Sequence, residues 1–127
     1  MRDNDFYSDM DVLELIAPAR KTTSANGTGV DLRDYDGKLM AILTSSAGGG
    51  TSPTLAVKLQ DSADNSSFAD VSGLAFTGLT NAADATEAIA VEANSVRRYL
   101  RAVTTIGGTS PTFDMSVLLV GRKKAIG

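Results

Sequence analysis

The chain contains no cysteine, no histidine and no tryptophan. Without cysteine no disulfide can brace it and no thiolate metal site can form. Without histidine it lacks the side chain most used as a general base or neutral metal ligand near pH 7. A hydrolase would then need a serine–lysine pair or two opposed carboxylates. No serine sits in a nucleophile-elbow pattern, and no two carboxylates are set apart by spacing. The chain is therefore read as non-enzymatic, with no cofactor and no metal. Long apolar runs are missing as well, none approaching the roughly 18 residues of a membrane span. The opening residues, Met1-Arg2-Asp3-Asn4-Asp5-Phe6-Tyr7, are acidic and carry no apolar stretch of the signal-peptide kind. The expectation is a protein made in a cytoplasm, not secreted, with no membrane partner.

What remains is enough for a core. The 127 residues fit one domain, and 43% of them are hydrophobic, too many for a disordered chain. The net charge of −3 argues against nucleic acid as the main partner. The charges are also unevenly placed. Six basic and fourteen acidic residues precede Arg97, whereas Arg97, Arg98, Arg101, Arg122, Lys123 and Lys124 follow with Asp114 as the only acid. Solvated strand ends would give this pattern; so would a basic edge that docks on an acidic partner.

Apolar residues recur with period two, the mark of half-buried strands. Strands are predicted at Val12–Ile16, Ala19–Ser24, Lys38–Ser45, Leu55–Gln60, Leu74–Leu79, Ala88–Glu92, Val96–Thr105 and Phe113–Val120. Ala25-Asn26-Gly27-Thr28-Gly29 reads as a tight turn using positive φ. Asn81–Ala90 is the one segment with a helical alternative, and the alternation of Ile89 and Val91 favours strand. This predicts an all-β fold: an antiparallel β-sandwich or jelly roll of about eight strands spanning residues 11–127. Residues 1–10 would be an extended arm anchored by Phe6, Tyr7 and Met10.

A six-residue repeat stands out. Gly49-Gly50-Thr51-Ser52-Pro53-Thr54 recurs as Gly107-Gly108-Thr109-Ser110-Pro111-Thr112. Each copy follows an apolar strand, Lys38–Thr44 or Arg98–Thr104, and leads into another that starts at Leu55 or Phe113. The prediction is one hairpin built twice, with Leu55, Val57, Leu59, Phe113, Met115 and Val117 pointing inward from equivalent strands. The glycines do not form a phosphate loop, because Pro53 and a strand follow in place of Lys-Ser/Thr and a helix.

Other polar motifs are weighed the same way. Asp61-Ser62-Ala63-Asp64-Asn65-Ser66-Ser67 offers oxygen ligands for Ca²⁺, but its spacing suits side chains capping their own turn better. Asn26-Gly27-Thr28 and Asn65-Ser66-Ser67 match the glycosylation pattern and are incidental without a secretory leader. Arg97-Arg98-Tyr99-Leu100-Arg101 is the least ordinary segment. On a strand, Arg97, Tyr99 and Arg101 would share one face, with Arg98 and Leu100 on the other. Three arginines need water or carboxylates for their heads, so the segment is either an exposed face with packed-down stems or a subunit contact.

Gly29-Val30-Asp31-Leu32, the stretch from Leu55 to Asp64 with Phe68-Ala69-Asp70-Val71, Arg97–Arg101 and Gly107-Gly108-Thr109 together resemble small virion structural proteins of tailed bacteriophages and prophages. The resemblance covers about residues 29–120 and carries no catalytic signature. It implies a virion component such as a capsid decoration, or cement, protein. The expected partners are then the major capsid protein and neighbouring copies of the chain, as a homo-oligomer on the capsid surface. Phe6, Tyr7, Arg97, Tyr99, Arg101, Arg122, Lys123 and Lys124 are the candidate contact residues. A neck or tail connector, or a carbohydrate- or receptor-binding module of a fibre, are the alternatives. The scarcity of aromatics weighs against the sugar-binding one.

Overall fold

A computed structural model describes residues 10–35 and 37–122. These residues form eight strands: β1 (Met10–Lys21), β2 (Ala25–Asn26), β3 (Val30–Asp31), β4 (Lys38–Ser45), β5 (Gly49–Ser62), β6 (Ala69–Ala75), β7 (Ala85–Glu92) and β8 (Tyr99–Arg122). A 3-10 turn, Ala93–Ser95, precedes β8. The predicted all-β sandwich is what forms, and every strand pairing among the described residues is antiparallel.

The 24-residue β8 belongs to both layers. Its second part lies between β1 and β4, with β7 beyond β4. Its first part lies between β5 and the two short strands β2 and β3, with β6 beyond β5. The inward rows of both halves are apolar. Leu39, Ala41 and Leu43 of β4 face Leu55, Val57 and Leu59 of β5, joined by Leu100, Ala102, Phe113, Met115, Val117 and Leu119 of β8 in one buried cluster. The six residues predicted to point inward are all at most 3% exposed. Burying each large apolar side chain contributes about 1.5–3 kcal/mol.

The repeat does something other than predicted. Neither copy closes a hairpin: β4 and β5 pair with different parts of β8 and not with each other, and the second copy lies inside the continuous β8. The two copies instead pair with each other, Gly49 with Thr112, Thr51 with Thr109 and Thr54 with Gly107. Together they make the corner where the chain passes from one layer to the other. Gly50 and Gly108 both have positive φ (92° and 112°), as do Ser52 and Ser110 (50° and 49°). A Cβ on Gly50 would collide with the Ser110 carbonyl, and one on Gly108 would lie 2.7 Å from the Ser52 carbonyl. Each glycine is thus required by the backbone of the other copy. A local two-fold relation follows, exchanging β4 with the first part of β8 and β5 with the second. Burial matches Ala41 with Leu100 and Leu43 with Ala102, one residue off the alignment of Lys38 with Arg98 read from sequence. A one-residue slip turns every side chain to the other face, which is how burial exposes it.

Three further expectations are corrected. Val12–Ile16 and Ala19–Lys21 belong to one strand, β1, which stops short of the predicted end at Ser24 and is interrupted only by register shifts between Glu14 and Ala19. Pro18 is tolerated there because β1 is an edge strand. Ala25–Asn26 is no turn but pairs with Thr104 and Val103. Gly27 has an ordinary φ and is needed because the Leu15 and Ala102 carbonyls lie within 2.8 Å of where a Cβ would sit. The strand predicted at Leu74–Leu79 sits earlier, at Ala69–Ala75, since Asp61 and Gln60 of β5 pair with Ala69 and Asp70. Asn81–Ala90 contributes to β7 and not to a helix.

Candidate partner-binding surfaces

The arginine segment lies at one end of the layer formed by β5, β6 and the first part of β8. β8 begins at Tyr99, so Arg97 and Arg98 precede the strand. Arg98 is therefore exposed and not beside the fully buried Leu100, contrary to the simple alternation. Both arginines find carboxylates. Arg97 donates from Nε and Nη2 to Asp61 Oδ1 at 3.0 and 2.9 Å, and its backbone N–H donates to Oδ2 at 3.0 Å. Arg98 grips Asp31 with two parallel bonds, Nε to Oδ1 at 3.0 Å and Nη2 to Oδ2 at 2.7 Å. That pairing, more than any other influence, draws the Asp31 carboxyl down to about 2.

Arg101 is held differently. Nε and Nη2 donate to Gln60 Oε1 at 2.9 and 2.7 Å, and its guanidinium stands 4.1 Å from the centre of the Phe68 ring. Gln60 Nε2 donates to Asp70 at 2.8 Å, and Lys58 Nζ does so at 3.0 Å. These hydrogen bonds, Gln60's first, lower the Asp70 carboxyl. Arg98 also lies 5.0 Å from the ring centre of Tyr99, itself half-buried. The outer surface of this layer is thus charged, and its charges pair within the chain.

The Asp61–Ser67 segment behaves as a self-capping turn. Asp64 Oδ1 accepts the Ser66 and Ser67 N–H groups at 3.0 Å and the Ser62 hydroxyl at 2.9 Å, which holds its carboxyl below the usual range. Asp61 is taken up by Arg97. Among the described residues no group of three acidic side chains could hold a metal ion. No helix among them is long and apolar enough to cross a membrane.

Of the remaining candidate contact residues, Arg122 is exposed at the end of β8, in register with Met10. Phe6, Tyr7, Lys123 and Lys124 lie outside the described residues, as does all of the expected arm except Met10, which is already in β1.

A second surface was missed by residue-type reasoning. On the outside of the β1–β8–β4–β7 layer, register places Val12, Val120, Met40 and Ala90 in one row and Glu14, Leu118, Ile42 and Ala88 in the next. Val12 and Met40 are exposed at 56% and 47%, and a shallow depression lies over Leu39, Met40, Ile42, Ala90 and Val120. The signal was legible: Leu39-Met40-Ala41-Ile42-Leu43 and Val117-Leu118-Leu119-Val120 are apolar at every position. A strand with one wet face alternates, so such runs point to cover on both faces.

No family model matches the chain, and no curated protein matches it. Solved structures do share its fold. The VP2 subviral particle of infectious bursal disease virus matches 87% of this chain at 9% identity and a TM-score of 0.56. The PBSX exported protein XepA matches 92% at 12% identity and 0.57. This chain spans only 31% of the VP2 chain and 38% of XepA. The SPBc2 prophage-derived protein YomS matches 88% of this chain and 95% of its own length, at 9% identity and 0.50. The fold also occurs in a xylan-binding domain of Paenibacillus barcinonensis Xyn10C, at 14% identity and 0.50, over 92% of this chain and 83% of that one.

Proposed function

We propose that the chain is a non-enzymatic virion structural protein of a tailed phage or prophage, a decoration protein that binds the head shell in many copies. The observation that carries this reading is the sandwich itself. It is nearly the whole of prophage-derived YomS and part of a subunit that forms the VP2 particle. The resemblance of the Leu55–Asp64 and Arg97–Arg101 stretches to virion proteins supports it independently. A sandwich with one continuous buried core suits a protein that works by contact. Weak contacts per copy add up across a lattice.

The fold is also that of a xylan-binding domain, so sugar binding needs its own test of fit. Such sites stack sugars on bare aromatic rings. Here Tyr35, Phe76 and Phe113 are buried, and Phe68 and Tyr99 lie half-buried under arginines. Among the described residues, no aromatic side chain is exposed.

The decisive experiment adds the purified protein to undecorated phage heads and follows bound copies by sedimentation and electron microscopy. Binding should raise the temperature at which the heads rupture, because a ligand of the assembled state stabilises it by mass action. Heads that hold no copies and gain no resistance at low or moderate salt would refute decoration and favour a neck or tail position.

A further inference from the structure

The apolar outer face of the β1–β8–β4–β7 layer is limited in size. Strands about 4.8 Å apart and rows about 6.8 Å apart give two rows across four strands on the order of 300 Å². A stable protein pair buries roughly 800 Å² on each partner. Two such faces stacked on each other would not hold a dimer; a short extended segment would cover this one. The row bordering the patch carries Arg122, Lys38 and Glu92, with both basic residues at the centre of that end. The face therefore fits a segment that brings apolar rings and negative charge together.

The chain has such a segment. Residues 1–9 contain adjacent Phe6 and Tyr7, and Asp3, Asp5 and Asp9 against Arg2, a net −2. They join β1 at Met10, in register with Arg122, at the basic end of the patch. From Val12 to Met10 the strand heads off the patch. At about 3.4 Å per residue, nine residues have an extended reach of about 30 Å, enough to cross to a neighbour's patch. We propose that the outer face of the β1–β8–β4–β7 layer receives residues 1–9 of a second copy, with Phe6 and Tyr7 over Met40, Ile42 and Val120 and the aspartates against Lys38 and Arg122. This contact is between copies and stands whether or not the shell they decorate is a phage head.

The test uses full-length chains and sedimentation velocity over a wide concentration range. The wild type should associate with rising concentration, more weakly at high salt. Phe6→Ser/Tyr7→Ser lacks the donor rings and Met40→Asp the acceptor surface; each alone should lose at least about tenfold in association. Neither change touches the buried core, and circular dichroism should show both folded. Mixed, the two variants should recover 1:1 pairs, since Met40→Asp still donates an intact segment to the intact face of the other. A wild type that stays monomeric, association that survives Phe6→Ser/Tyr7→Ser, or a mixture that fails to pair would each overturn the proposal.

Discussion

On the layer built from β5 and the first part of β8, the outward positions include Lys58, Gln60, Tyr99 and Arg101. At the places related to them by the corner's two-fold stand Ser116, Leu118, Met40 and Ile42. Inward, the two layers match: Leu55, Val57 and Leu59 correspond to Phe113, Met115 and Val117, all buried. Packing constrains the inner set in the same way on both sides, because a void or an unpaired polar group costs alike in either. Nothing in the core constrains the outer set. One face has become a network of arginine, glutamine and carboxylates satisfied within the chain, the other an apolar surface that no described residue covers. Contact with a partner is therefore better sought on the second, although arginine and tyrosine mark the first in the sequence.

The comparison can be broken at its inner positions first. Val57→Asp and Met115→Asp should each place an unpaired charge in the core and cost several kcal/mol, roughly equally. Urea denaturation that finds either variant as stable as the wild type would show that the layers are not equivalent. The corner comes next. Gly50→Ala and Gly108→Ala force a side chain into positive φ and against the opposing backbone, so each should cost about 1–3 kcal/mol. A large difference between the two thermal shifts would end the two-fold description.

Smaller effects separate the outer faces. Arg97→Ala strips partners from Asp61, whose side chain is only 13% exposed, and should cost about 1–2 kcal/mol. The Asp31–Arg98 pair is more exposed and shows itself through pH. Asp31 stays charged down to about 2, whereas an unfolded carboxyl takes up its proton near about 3.9. Its contribution is whole above about pH 4 and drains away as pH falls toward 2. Asp31→Asn should flatten that part of the acid limb in a pH series of denaturation midpoints. Tyr35 shapes the alkaline limb. Burial, aided by its hydroxyl's bond to the Asp11 carboxylate, pushes it up to about 12. Stability should hold to about pH 10 and fall as pH rises through 12, and Tyr35→Phe should remove that part of the fall. Least of all, Met40→Ser should move stability by no more than about 0.5 kcal/mol, because the side chain is half in water. A large destabilisation there would mean that the apolar face serves the fold and not a partner.

Period-two alternation in Leu55–Gln60 and Phe113–Val117 determined the strands and their inward rows, because side-chain direction on a strand is a local property. The absence of helix caps and the short spacing of turn residues determined the all-β class for the same reason. Pairing lay beyond local reach. That Gly49–Thr54 and Gly107–Thr112 meet each other depends on which strands become neighbours some sixty residues apart, and the same residues would serve a hairpin equally well. Only tertiary structure showed that Gly27 yields to two carbonyls, that Asp61 and Asp31 occupy Arg97 and Arg98, and that Met40, Ile42, Leu118 and Val120 gather on one outer face. Each of these is decided by what packs opposite a residue, and a residue's own type does not carry that information.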